Sequence, residues 1–221
     1  GSQVASTDDM SIVVVGSSGA NSYAGGVVRY QYDGTEYIQL GSELIGAASE
    51  QYGYKLDMSG DGGVLAISSR SSKGTSGTLT NAGKITMYDC DLSTCTERTV
   101  IHGTSDNEYL GISVVVSRYG NKVVFANSVL PRDVYVYVDD GTNWVQQGAT
   151  FQTTVNINFG DKTALSYDGN VLAVSAHGAD DVGTNTGSRY VYEWDGTTWK
   201  QRPLISGDFT NERCGISLDL S

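Results

Sequence analysis

Short apolar runs, each broken by a glycine or a polar turn, follow one another along the whole chain. The runs at 12–15, 64–67, 123–125 and 171–174 are too short for helices, and apolar residues do not recur at helical spacing. They read as β-strands. Three of them follow a tight turn, at Asp61-Gly62, Tyr119-Gly120 and Asp168-Gly169. Such a pair between β-rich runs predicts a hairpin, because the turn needs a residue with positive φ.

The segment before each turn repeats. Tyr52-Gly53 leads to Ser59, Leu110-Gly111 to Ser117, Phe159-Gly160 to Ser166 and Cys214-Gly215 to Ser221. In each, a large apolar residue precedes glycine, with serine six positions after it. A second pattern also occurs four times. Tyr30, Tyr88, Tyr137 and Tyr192 each stand just before a turn at Asp33-Gly34, Asp91-Leu92, Asp140-Gly141 or Asp195-Gly196. The turns then lead to Tyr37, Cys95, Trp144 and Trp199. The unit is therefore two hairpins in roughly 55 residues, and four-stranded units at that period predict a β-propeller.

The expected fold is all-β: a propeller of four four-stranded blades, with boundaries near 8–53, 53–111, 111–160 and 160–221. Residues 1–7 are assigned to a cloning scar (Gly1-Ser2) and a flexible N-terminus. The run at 7–16 aligns with a second strand, and 214–221 with a first strand. Pairing of the N- and C-terminal strands is therefore expected to close the ring and remove its edge. An arc of a larger propeller, or a dimer making eight blades, remains open beside the closed monomer.

Phe159-Gly160 through Leu165-Ser166, Asp168-Gly169-Asn170 and Leu172–Ala176, with Val191 to Trp199 following, resembles the FG-GAP repeat of integrin α-chain propellers. The resemblance runs over about residues 8–221. It implies an extracellular or cell-surface recognition or adhesion module, non-enzymatic, that binds a protein or glycan through loops on one face. A purely structural repeat module is the alternative, and a hydrolase or lyase using the central channel is the least favoured. The family often binds calcium in the first turn of a blade. Only Asp57, Ser59 and Asp61 approach that pattern, with Leu65 where the last ligand belongs, so a plain turn is the competing reading. No other cofactor is expected.

Composition sharpens this picture. The 221 residues include 28 glycines and 14 tyrosines, and a good share of the glycines fall at the repeated positions. Fourteen basic against 25 acidic residues give a net charge of −11, which excludes a nucleic-acid partner. No apolar stretch is long enough to insert in a membrane as a helix, and no leader peptide is visible at the N-terminus. Cys90 and Cys95 flank a hairpin turn at aligned positions, which predicts a disulfide and an oxidising compartment. Cys214 fills a repeated apolar slot and reads as an inert buried thiol.

The two histidines are His102 and His177. No serine lies in a Gly-x-Ser-x-Gly elbow, and no phosphate-binding glycine loop opens a helix. The connections at 17–26, 69–83, 127–132 and 176–187 differ most among the units. Length variation of this kind marks a recognition face. Asn21, Tyr23, Arg70, Lys73, Arg132, His177, Asp180 and Asp181 are therefore the candidate ligand-binding residues.

Overall fold

The computed structural model describes residues 3–153 and 157–220. Four antiparallel sheets follow one another in chain order. The first holds β1 (Gln3–Ser6), β2 (Ile12–Ser17), β3 (Gly26–Tyr32) and β4 (Tyr37–Ile45). The second holds β5 (Tyr52–Met58), β6 (Val64–Ser69), β7 (Lys84–Cys90) and β8 (Cys95–His102). The third holds β9 (Ser113–Val116), β10 (Lys122–Ala126), β11 (Arg132–Asp139), β12 (Trp144–Gln146) and β13 (Phe151–Thr153). The fourth holds β14 (Phe159–Leu165), β15 (Val171–Ala176), β16 (Ser188–Trp194), β17 (Trp199–Gln201) and β18 (Ile205–Ser206). In the third and fourth blades the outermost strand is split into two short pieces, both paired to the same neighbour.

Period-two alternation places the core between blades. On β6, Leu65 and Ile67 face the first blade, joining Val14, Val27 and Met58, while Ala66 faces the third. On β10, Val123 and Phe125 face the second blade, joining Ile85 and Met87, while Val124 and Ala126 face the fourth. Second strands are therefore apolar on both faces, as a strand buried between two sheets must be.

The repeated serine has a local cause. Ser59 Oγ accepts the Val64 N–H at 2.9 Å and donates to Asp61 Oδ1 at 2.6 Å. Ser166 does the same with Val171 and Asp168, and Ser117 with Lys122 and Asn121. Each turn then closes on a left-handed glycine, Gly62, Gly120 or Gly169. In the first blade Thr7 takes the serine's place and Met10 the glycine's, with φ of 57°.

Two expectations are corrected. Gln3–Ser6, expected in a flexible N-terminus, form β1 and pair in register with Val13–Gly16. The inner edge of the first sheet is therefore already filled, and residues 214–220 form no strand with it. Gly215 lies against the fourth blade, where a Cβ would stand 3.1 Å from the Ser188 carbonyl oxygen, and Leu218, Asp219 and Leu220 line a cavity with Asp57 of the second blade, Val116 of the third and Thr163 of the fourth. The first blade is joined to the others at one end of the axis by side chains. Arg118 donates to the Asp8 carboxylate, and the Tyr167 hydroxyl donates to Asp8 Oδ2 at 2.9 Å.

Cys90 and Cys95 form the expected disulfide across the β7–β8 turn, and Cys214 is a buried free thiol. Among the described residues no helix is long and apolar enough to cross a membrane.

Candidate functional site

At the other end of the axis the inner strands open into a cavity of about 460 Å³. Its walls come from residues just after the strand-entry glycines. Tyr54 and Lys55 follow Gly53, Ile112 follows Gly111, Asp161 and Lys162 follow Gly160, and Ile216 follows Gly215. Arg70, Ser128, His177 and Arg213 close the rim.

A β-bulge turns the two lysines toward the axis. The β5–β6 register shifts between Tyr52 and Leu56, and the β14–β15 register between Phe159 and Thr163. A bulge unpairs backbone groups and re-aims a side chain. Here the freed N–H of Lys55 is taken up by Ser68 Oγ at 2.9 Å, and that of Lys162 by Ser175 Oγ at 2.9 Å. Both serines are completely buried on the second strand of their blade. The two bulges are equivalent by repeat, so the lysines face one another across the axis. Burial and the neighbouring Lys162 charge lower the pKa of Lys55.

The acidic member of the cavity is Asp161. Arg132 Nη1 donates to its Oδ1 at 2.6 Å, and Arg132 Nη2 donates to Asn158 Oδ1 at 3.3 Å. His177 Nε2 stands 3.9 Å from Asp161 Oδ2. Its Nδ1 is buried and has no hydrogen-bond partner among the described residues. Arg70 is held by ring faces, its guanidinium 5.1 Å from the Tyr54 centroid and 4.7 Å from that of Tyr109. This leaves its outer edge free for a ligand. The cavity thus carries Lys55, Lys162, Arg70 and Arg213 against one carboxylate already paired to Arg132. Positive potential concentrated in a cleft draws in an anion, and here it does so in a chain of net charge −11.

The structure divides the residues expected from the sequence. Arg70 and His177 line the axial cavity, and Arg132 supports it from behind. Tyr23 and Lys73 line a second cavity, between the first and second blades. Asn21 lies in the turn before β3 and lines neither cavity, while Asp180 accepts the Asn185 N–H at 2.5 Å and Asp181 accepts from the Ser188 hydroxyl. Asp57, Ser59 and Asp61 do not converge as a calcium cage. Asp57 Oδ2 accepts the Val116 N–H at 2.8 Å in the next blade, while Asp61 Oδ1 serves its own turn through Ser59 and Gly63. Among the described residues no group of three metal-ligating side chains forms.

Tyr54, Lys55, Asp161, Lys162 and Arg213 were not among the residues expected from the sequence, because they lie outside the connections whose lengths vary most. Their signal lay in the repeat itself, in the residues after each strand-entry glycine and, for Arg213, before Cys214.

No protein-family model matches the chain, and no curated protein matches its sequence. Solved structures do match its fold. A protein from Bacteroides uniformis assigned as a 6-phosphogluconolactonase superimposes with a TM-score of 0.63 at 12% identity, over 95% of this chain and 55% of its own. The periplasmic gluconolactonase of Pseudomonas aeruginosa gives 0.61 at 14% identity, over 92% and 56%. The β-propeller domain of the Trilobed protease of Pyrococcus furiosus, which has an open velcro topology, gives 0.55 at 9% identity, over 91% and 56%. The chain thus spans about half the length of the structures it matches. One of these neighbours is a gluconolactonase and another is assigned as a lactonase, and lactonases are hydrolases. They overturn the expectation of a non-enzymatic recognition or adhesion module. At these identities the likeness establishes architecture: the chain is a β-propeller of four blades.

Proposed function

We propose that the axial cavity hydrolyses a small lactone bearing an anionic group. The observation that carries this reading is the convergence of Lys55, Lys162, Arg70 and Arg213 around the His177–Asp161 pair. Ring opening needs a water made nucleophilic, a cation for the developing oxyanion, and a proton for the departing ring oxygen. His177 takes the proton from water as its oxygen attacks the carbonyl carbon. The Asp161 carboxylate stabilises the imidazolium that results, and Arg132 fixes that carboxylate in place. Lys55 and Lys162 face the tetrahedral oxyanion. As the ring C–O bond breaks, His177 returns the proton to the alkoxide, and the product is an open hydroxy acid. Its new carboxylate is held by the same cations until release. Arg70, stacked between two rings, and Arg213 bind the anionic substituent.

The lactonase structures support this reading by analogy of fold, and the cavity supports it by chemistry. The motif at 159–176 resembles the FG-GAP repeat and supports that reading of the blades, and the disulfide favours a secreted or periplasmic location. The test is a pH-stat assay of the full chain with glucono-δ-lactone and its 6-phospho form. Base uptake above the spontaneous rate, greater for the phosphorylated substrate and lost in His177→Ala, supports the proposal. Rates equal to the spontaneous rate for both substrates overturn it.

A further inference from the structure

A second cavity, of about 530 Å³, lies between the first and second blades. Its chemistry differs. The lining includes no carboxylate and a single cation, Lys73, which forms no ion pair among the described residues. The other groups are hydroxyls and amides, among them Ser49, Gln51, Thr78 and Asn81, around one aromatic ring, Tyr23.

Tyr23 is 62% exposed and makes no ring contact with a described aromatic residue. Its backbone is left-handed with φ of 67°, and it follows Asn21 and Ser22 at 52° and 57°. Three such residues in succession, the last a bulky aromatic, are a conformation that L-residues avoid. The turn is held by its neighbours: the Tyr23 carbonyl accepts the Gln51 N–H at 2.9 Å, and the Ala24 carbonyl accepts the Tyr52 N–H at 3.0 Å. Across the cavity Ser49, Gln51 and Asn81 are also left-handed, at 60°, 56° and 51°. Asn107 and Tyr109, and Asn185, Asn211 and Arg213, repeat these conformations at other blade junctions, so Ser49, Gln51 and Asn81 hold theirs as part of the repeat; the left-handed Asn21 and Ser22 that present Tyr23 are particular to this cavity.

We propose that this cavity binds a pyranose unit of a neutral saccharide, independently of the lactonase reading. An aromatic face carries negative potential and packs against the C–H face of a sugar ring, which Tyr23 is placed to offer. Sugar hydroxyls are both donors and acceptors. They match neutral amide and hydroxyl side chains, which can also do both, better than they match charged groups. Lys73 adds one donor. The axial cavity, with its four cations, has the opposite character, so the two sites select different ligands.

The test is saturation-transfer-difference NMR on the full chain with maltose, cellobiose and lactose as probes. At least one disaccharide is expected to give ring-proton signals. Tyr23→Ala, at an exposed position, is expected to reduce them about tenfold, as is Thr78→Trp, which fills the cavity and leaves Tyr23 in place. His177→Ala, in the axial cavity, leaves them unchanged. Silence from all three sugars overturns the proposal. So do signals that survive both cavity variants in protein with an unaltered amide spectrum, or that vanish in His177→Ala alone. Because the readout is binding at millimolar sugar, its failure is separate from any failure of lactone hydrolysis.

Discussion

His177 and Asp161 meet across the mouth of the axial cavity, Nε2 to Oδ2 at 3.9 Å, one from the connection after β15 and the other from the bulge of β14. Both belong to the fourth blade, so their geometry is fixed within one sheet. Of the substrate-facing cations, Lys55 and Arg70 come from the second blade, Lys162 from the fourth and Arg213 from the segment after it. Proton transfer and anion binding can therefore be perturbed separately.

His177→Ala removes the group that takes the proton from water. General acid–base groups contribute about 10²- to 10⁴-fold, so kcat for lactone opening falls by that factor with KM little changed. Asp161→Asn keeps the shape but not the charge that stabilises the imidazolium, and it leaves Arg132 without its carboxylate partner. It is expected to lower kcat as well, and to add an unpaired cation to the wall. Initial rates in a pH-stat, fitted for kcat and KM separately, decide both cases. Full activity in His177→Ala would sink the mechanism.

Lys55 and Lys162 repel each other across the axis, and the pKa of Lys55 is lowered first by burial and then by Lys162. Lys162→Ala removes the second effect only. A like charge disfavours the protonated form, so its loss shifts the Lys55 titration upward. NMR titration of the lysine side chains, with Lys55→Ala to assign the signal, measures this directly. In kinetics, Lys55→Ala removes one of the two cations facing the oxyanion and lowers kcat by about 10²- to 10³-fold, the scale of one oxyanion donor. An unmoved Lys55 signal would mean that the two ammonium groups do not sense each other.

The blades were legible in the sequence because each is punctuated by local chemistry. Ser59, Ser117 and Ser166 cap their own turns, and Gly62, Gly120 and Gly169 supply the left-handed residue, so the pattern is written in residue type. The edge of the first sheet was not legible. Gln3–Ser6 carry neither the strand-entry glycine nor the apolar residue before it, whereas residues 214–221 carry both, so similarity favoured the wrong segment. The axial cavity was hidden for a different reason. Its residues lie far apart in the chain and meet only because bulges rotate Lys55 and Lys162 inward, and a bulge leaves no mark beyond the glycine that starts it.

The equivalent strand-entry glycine of the third blade can be tested on its own. Gly111 has φ of 97°, and a Cβ there would lie 2.4 Å from Ser68 Cβ and 2.8 Å from Ile85 Cδ1. Gly196 has φ of 98° but nothing within 4 Å. Gly196→Ala therefore meets only the backbone cost of about 1–2 kcal/mol, while Gly111→Ala adds about 1–3 kcal/mol of overpacking. Thermal unfolding should show Tm lower in Gly111→Ala than in Gly196→Ala by about 2–12 °C. Equal losses would show that the second and third blades can separate to admit a methyl group.

Asp57 offers the clearest link between burial and pH. It lies two residues beyond Lys55 on β5, and its Oδ2 accepts the Val116 N–H at 2.8 Å, tying the second blade to the third. Burial raises its pKa from 3.8 to about 6, against the opposing effects of that hydrogen bond, the Met58 N–H and the Arg118 charge. The folded state therefore holds this proton more tightly than the unfolded chain does. The stabilisation from Asp57 is complete below pH 3.8 and is lost as pH rises through about 6. The loss is about 3 kcal/mol at 1.36 kcal/mol for each pKa unit. Asp57→Asn keeps an oxygen for the Val116 N–H and removes the charge. Denaturant unfolding at pH 4 and pH 7.5 should show the wild type losing about 2.4 kcal/mol more across that range than the variant, the first part of the loss lying below pH 4. Every other titrating group is common to both proteins, so the difference isolates this carboxylate. Parallel stability curves would mean that Asp57 is solvated in the axial channel and that the bond to Val116 does not depend on its protonation.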